Sequence, residues 1–282
     1  MLFRSILRLS ASHPVAILLP MIDGIDELRA AKAAIEHAKE ELAAAGQSFD
    51  PLIPVGAMIE TPSAAILIEH LADEVDFFSV GSNDLVQFLL AADRIRGEMK
   101  STYDPLHPAV IQVLAKLATV ARRKGTPISL CGEIASDPTY TNLLIGLGFR
   151  SFSVSPGRLL DIKHAIRSTD LQQAEKLAEQ VLSVHSTRDI RSSSHFKPRQ
   201  GGCWRRLAHE DWETWAMKID GNSGYGENNA GKQCVMVLTS NLIEVLMIFR
   251  CPTHFDRCPH PPAEPRRRLD REGSGCIPGF AG

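Results

Sequence analysis

Short apolar runs alternate with longer amphipathic segments along roughly the first 190 residues. Five runs end at polar turns and predict buried strands: Val15–Leu19, Val55–Ile59, Phe77–Val80, Ile128–Cys131 and Ser151–Val154. A helical pattern follows each run, and no hairpin signal separates them. This order predicts an α/β fold with a parallel sheet. Five units suit either part of a (β/α)8 barrel or a complete open sheet, and spacing alone does not decide between the two.

Residues at the predicted junctions support these boundaries. Thr61 and Pro62 have the residue types of an N-cap and a first helical residue. Asp23 and Asp170 are expected to cap the helices that follow them, and Asp137 with Pro138 is expected to open another.

The pattern changes after about His185. We assign residues 1–185 to the α/β domain and expect 186–282 to be a largely irregular, disordered tail, because polar, proline-rich and arginine-rich stretches dominate it. Its one long apolar run, Val235–Phe249, suggests a helix near Leu242–Phe249.

Composition narrows the possible partners. The chain has 282 residues, 44% of them apolar, and a formal net charge of −2. Neither a nucleic acid nor a membrane surface is favoured by such a charge, and no apolar run approaches the ~20 residues of a membrane span. Cys131 is the only cysteine in the first 200 residues, which suggests a reducing compartment, and we expect the protein to be cytoplasmic.

Two acids stand at the predicted ends of neighbouring strands. Glu60 directly follows the second strand, and Asp84 lies just beyond the third. Parallel strands place such ends at one rim, where two carboxylates suit Mg²⁺ bound together with a phosphate-bearing substrate. The alternative is that each acid simply stabilises the start of a helix.

Three more residues could carry chemistry at the same rim. Asn83 belongs to a Gly-Ser-Asn-Asp turn before a helix, which suits an anion or is a plain capping turn. Arg94 could bind a phosphate or carboxylate, or it could be a solvated surface residue. Cys131 could act as a general acid or base, or it could be a small apolar filler.

Six blocks together resemble the C-terminal phosphoenolpyruvate-binding domain of enzyme I of the bacterial phosphotransferase system. They are LLPMIDGIDELRAAK, GAMIETPSAA, VDFFSVGSNDLVQFLLAADR, YDPLHPAV, LCGEIASD and GFRSFSVSPGRLLDIKHAIRSTD, and they occur in family order over roughly residues 1–185. The resemblance implies a TIM barrel of which this chain holds the last five βα units.

The resemblance also implies a reaction. In that family phosphoenolpyruvate passes its phosphoryl group to a histidine on a separate N-terminal domain, and then to the carrier protein HPr for sugar transport. Glu60 and Asp84 would hold Mg²⁺, and Asn83, Asp84 and Arg94 would bind substrate. Cys131 would protonate the enolate as pyruvate forms. The family dimerises through this domain, so a homodimer is implied.

Several family parts have no counterpart in this sequence. They are the phosphohistidine domain, the first three barrel strands and two phosphate-binding arginines. We therefore expect a truncated piece with an unrelated tail, unpaired sheet edges and weak binding of Mg²⁺ and phosphoenolpyruvate, which a micromolar affinity in calorimetry would contradict. Two other hypotheses remain: an inactive fragment that keeps a binding or dimer surface, and an unrelated Mg²⁺-dependent lyase or aldolase.

Overall fold

The computed structural model describes residues 2–92 and 103–192, together with the backbone of 232–238 and 243–250. The helices of these ranges are α1 Leu2–Ser10, α2 Ile25–Ala44, α3 Pro62–Leu71, α4 Ser82–Leu89, α5 Pro108–Lys124, α6 Glu133–Ser136, α7 Pro138–Gly146, α8 Leu159–Arg167, α9 Leu171–Leu182 and α10 Thr187–Ser192. The strands are β1 Val15–Leu19, β2 Val55–Ile59, β3 Phe77–Gly81, β4 Ile128–Cys131, β5 Ser151–Ser153, β6 Lys232–Leu238 and β7 Ile243–Arg250.

The first five strands pair in chain order, and every pair among them is parallel. Strand β6 lies parallel beside β1, and β7 lies antiparallel beside β5, so the strands close into a barrel. The α/β fold class is thus confirmed, and the strands form a closed barrel rather than an open sheet. The expectation of unpaired sheet edges is wrong, because β6 and β7 pair with the two edge strands.

The helix expected near Leu242–Phe249 is also wrong, since β6 and β7 form an antiparallel hairpin there. The polar triplet at 239–241 divides the apolar run into two segments. Both segments are rich in valine and isoleucine, residue types that favour extended backbone over helix. A long apolar run without a clear period does not tell a helix from a strand in the sequence alone.

Alternate strand residues face opposite sides of the sheet. Ile17, Ala57 and Leu130 belong to the large core between strands and helices. Their neighbours Leu18, Met58 and Cys131 form a separate small cluster, with Phe77 packed against it, on the other face of the strands. This second face lines the barrel interior, and it carries the side chains of the candidate site.

Most of the predicted caps are present. The side chain of Thr61 accepts from Ala64 N at the start of α3, and Asp137 and Asp170 cap α7 and α9 in the same way. Asp23 does not cap α2, whose N-cap is Gly24. Instead the backbone N–H of Asp23 donates to Glu27 Oε2 at 2.9 Å, so the side chain of an acid in the first turn of α2 accepts from the backbone that precedes the helix.

Helix α10 extends the packed core beyond residue 185. Ile190 is 1% exposed and belongs to the large core, and Arg191 makes two 2.8 Å hydrogen bonds to Asp104. The domain boundary at 185/186 remains a prediction, and α10 provides a way to test it. None of the described helices is long and apolar enough to cross a membrane.

Replacing Ile190 by alanine tests whether α10 is part of the folded domain. We expect the free energy of unfolding to fall by about 2 kcal/mol or more, because the change leaves a cavity in the core. The control is Leu52→Ala, since Leu52 is 84% exposed and its truncation should change stability little. Urea denaturation followed by circular dichroism measures both, and equal stabilities would place the boundary before α10.

Candidate functional site

The register of the parallel strands places four residues in one layer at their carboxyl ends. Ile59 pairs with Val80, so Glu60 follows β2 at the level of Gly81. Gly81 pairs with Cys131, and Leu130 pairs with Phe152, so Ser153 stands beside Cys131 on the next strand. Alternation turns all four toward the barrel interior.

Glu60 is the buried acid of this layer, with 4% of its surface exposed. Its Oε1 accepts a 2.6 Å hydrogen bond from the backbone N–H of Met21, just after β1. Met21 has φ 54°, a left-handed conformation that is costly for a residue with a side chain. Local strain is therefore retained where the backbone holds the Glu60 carboxylate in place.

The carboxyl groups of Glu60 and Asp84 are close enough to share a hydrogen bond. Burial raises the pKa of Glu60, the Met21 N–H lowers it, and the Asp84 charge raises it further, so the net shift is upward. Gly81 makes room for this pair, because a Cβ there would lie 2.7 Å from Glu60 Oε2. Two carboxylates held together in this way are ready to share a cation.

A second set of contacts ties the turn after β3 to the end of β4. Ser82 Oγ donates to Cys131 O at 2.6 Å, and the backbone N–H of Glu133 donates to Asn83 Oδ1 at 2.9 Å. Gly132, which lies between Cys131 and Glu133 in the sequence, has a φ of 97°. These bonds set the position of Asn83 relative to Cys131.

Gly132→Ala should disrupt this junction. A Cβ there would clash with Ser82 Oγ and lie 2.9 Å from Asn83 Oδ1, and the positive φ is unfavourable for alanine. We expect about 1–3 kcal/mol lower stability in chemical denaturation. The control is Gly157→Ala, because a Cβ at Gly157 would meet nothing within 4 Å. Equal stability of the two variants would show that the junction between α4 and β4 accommodates a side chain at residue 132 without cost.

Cys131 lies in the interior cluster with 8% of its surface exposed. Its Sγ donates to Val80 O at 3.3 Å, which requires the protonated thiol. The residue thus holds a proton at the same level of the barrel as the acidic pair. That position fits an acid or base as well as it fits a filler.

The predicted site residues are placed as follows. Glu60, Asn83, Asp84 and Cys131 meet at one rim, as their positions after the strands suggested, although their chemical roles stay predictions. The capping alternative does not hold for Glu60, because Thr61 caps α3, whereas Asp84 does lie in the first turn of α4. Arg94 lies outside the described residues.

Sequence reasoning missed the Met21 backbone, Ser82 and Ser153. Ser82 stands in the singled-out turn and could have been found there, whereas nothing in the residue types signals the other two. Among the described residues no three histidine, cysteine or acidic side chains form a metal-binding group. A cation here would therefore rely on two protein carboxylates.

A family profile described as "PEP-utilising enzyme, PEP-binding domain" matches residues 1–171. The chain belongs to this family, and the resemblance to the C-terminal domain of enzyme I is confirmed. Among its relatives are proteins named phosphoenolpyruvate-protein phosphotransferase. The one from Cupriavidus necator is 43% identical over 181 residues, which cover 64% of this chain and 31% of the relative. That from Haemophilus influenzae is 41% identical over 187 residues, covering 66% and 32%.

The chain thus spans about a third of the length of these curated relatives. Among solved structures, a citrate lyase from Burkholderia xenovorans LB400 superposes with a TM-score of 0.45 and 23% identity, covering 66% of this chain and 59% of the other.

Proposed function

We propose that this chain provides the phosphoenolpyruvate site of a phosphoenolpyruvate–protein phosphotransferase of the enzyme I type. One observation carries the proposal: a buried glutamate contacts a second carboxylate in the barrel layer that also holds a protonated thiol. Family membership supports the same substrate class. Because the matched part covers only about a third of these relatives, the complete transfer reaction is part of the proposal.

The residues fit a magnesium ion. Mg²⁺ prefers oxygen ligands and is commonly held by one or two carboxylates plus substrate phosphates, which is the set that Glu60 and Asp84 offer. Met21 N–H hydrogen-bonds to one oxygen of Glu60, and the Glu60 carboxyl group also lies against that of Asp84. When bound, Mg²⁺ would stabilise the negative charge that develops on the substrate oxygens.

The chain's own residues account for the remaining steps. Asn83, oriented by Glu133 N–H, and the backbone of Asp84 would contact the substrate phosphate, and the family resemblance assigns Arg94 to the anionic oxygens of the substrate. Loss of the phosphoryl group leaves the enolate of pyruvate. Cys131 Sγ then gives its proton to the methylene carbon: the S–H bond breaks, the enolate electron pair forms the C–H bond, and the charge moves to sulfur.

The wider assignment follows the enzyme I type. The phosphoryl group would go to a histidine on the N-terminal domain and then to an HPr-type carrier, within a cytoplasmic sugar-transport system and with a homodimer formed through this barrel. We retain 1–185 as the catalytic portion, to which β6 and β7, from the region 186–282, add the two strands that complete the barrel.

Exchange of the pyruvate methyl protons tests the site in this chain alone. Each exchange removes a methyl proton to form the enolate and then returns a proton from the solvent to the same carbon, so it needs no phosphoryl transfer. The chain with Mg²⁺ in D₂O should speed the loss of the methyl signal in proton NMR over Mg²⁺ in buffer. Chelation of the metal should remove the effect. Exchange no faster than in buffer would count against the proposal.

The second candidate is an inactive fragment that keeps only a substrate or dimer surface. Phosphoryl transfer from phosphoenolpyruvate, with an added phosphohistidine domain and carrier, separates the two. Transfer would support the enzyme and exclude a lyase or aldolase. Binding without transfer would support the fragment.

A further inference from the structure

Ser153 ends β5 and lies in the same interior layer as the candidate site. Phe152, its neighbour, is the register partner of Leu130, and both belong to the core between strands and helices. Alternation therefore turns Ser153 to the opposite side, the face of Cys131. Neighbouring strands lie about 4.8 Å apart, so a hydroxyl and a sulfur at the same level of β5 and β4 are within reach of each other.

The hydroxyl of Ser153 is buried, with 3% of the residue exposed, and it has no hydrogen-bond partner among the described residues. An unsatisfied buried hydroxyl costs about 1–3 kcal/mol, so native structures rarely keep one without a reason. Ser129, two residues before Cys131 on the same face, shows the usual situation, because its Oγ donates to Phe78 O at 3.3 Å.

We propose that Ser153 is a positioning residue for Cys131, and that its hydroxyl donates a hydrogen bond to the sulfur when the thiol has given up its proton. This inference rests on the proposed function, in which Cys131 protonates the enolate. The thiol itself donates to Val80 O and does not need Ser153. The thiolate formed by proton transfer needs a donor.

The surrounding charges make such a donor valuable. Two acids lie at this level of the barrel: Glu60 shares the layer of Cys131, and Asp84 contacts Glu60. Each disfavours a second negative charge in the layer. A hydroxyl that gains an acceptor only after the proton leaves stabilises the product of the transfer more than the starting state, and this difference speeds the step.

The matched variants are Ser153→Thr and Ser153→Val, which share a shape and differ in the hydroxyl. With Mg²⁺ and pyruvate in D₂O, we expect the valine variant to exchange methyl protons about tenfold or more slowly than the threonine variant. A second assay needs no substrate: alkylation of Cys131 by iodoacetamide at fixed pH, followed by peptide mass spectrometry. The valine variant should react several-fold more slowly. Ser129→Ala is the control and should match the wild type in both assays.

The outcomes separate the two proposals. Equal rates for the valine and threonine variants in both assays, with wild-type exchange intact, would overturn the role of Ser153 and leave the proposed function standing. Wild-type exchange at the buffer rate would overturn the proposed function, and alkylation would still decide whether Ser153 supports the thiolate. If circular dichroism shows that the pair does not fold, the comparison of Ser153→Ala with wild type decides in the same way.

Discussion

Glu60→Gln should abolish Mg²⁺-dependent exchange of pyruvate protons while making the metal-free protein more stable. Glutamine keeps the shape and can still accept the Met21 N–H, but it removes the charge that a cation needs. We expect exchange to fall about 100-fold or more, the effect typical of losing an electrostatic contact to developing charge. Added Mg²⁺ should raise the melting temperature of the wild type and leave that of the variant unchanged.

The gain in stability follows from the raised pKa of Glu60. Above the ordinary carboxyl pKa the unfolded chain releases a proton that the folded protein retains, so this group's contribution falls as pH rises toward the folded value. Glu60→Gln has no ionisable group at this position, so its stability does not fall in this way as the pH rises. Its advantage over wild type in urea denaturation should therefore be smallest near pH 4.5, the ordinary carboxyl pKa, and grow as the pH rises above it.

Glu133→Gln is the matched control, because Glu133 is an exposed acid on the same rim. It should alter neither exchange nor the Mg²⁺ effect. If Glu60→Gln retained both the exchange and the melting shift, the acidic pair would not be the metal site, and the upward pKa shift would be a matter of packing alone.

Much of this site could be predicted because parallel strands impose strong constraints. Once the runs at Val55 and Phe77 are taken as neighbouring parallel strands, the residues that follow them must share a rim, whatever the loops do. That is why Glu60 and Asp84 were expected to lie close together. The five strands themselves were visible as continuous apolar runs, since both faces of each strand are covered.

The missed features depend on properties that residue types do not report. Met21 contributes a backbone N–H, and its left-handed φ follows from the turn after β1 rather than from its side chain. Only the strand register, which places Ser153 beside Cys131, and the lack of a hydrogen-bond partner for its hydroxyl among the described residues point to Ser153. The hairpin β6–β7 was missed because a long apolar run suits a helix and a strand pair equally well.

Cys131→Ser should slow exchange about 10²–10⁴-fold and leave the metal site intact. The serine hydroxyl is a far weaker acid than a thiol, so it neither gives nor takes the proton readily near neutral pH, and general acid–base catalysis is worth about that factor. Serine is close to cysteine in size, so the packing against Leu18 and Met58 should survive.

The contrast between the two variants assigns the roles. Glu60→Gln should lose both the exchange and the Mg²⁺-dependent melting shift, whereas Cys131→Ser should lose the exchange and keep the shift. Calorimetry with phosphoenolpyruvate and Mg²⁺ should likewise separate them, with weaker binding only in the glutamine variant. Wild-type exchange in Cys131→Ser would mean that another group moves the proton, and would return the buried thiol to the role of a small apolar filler.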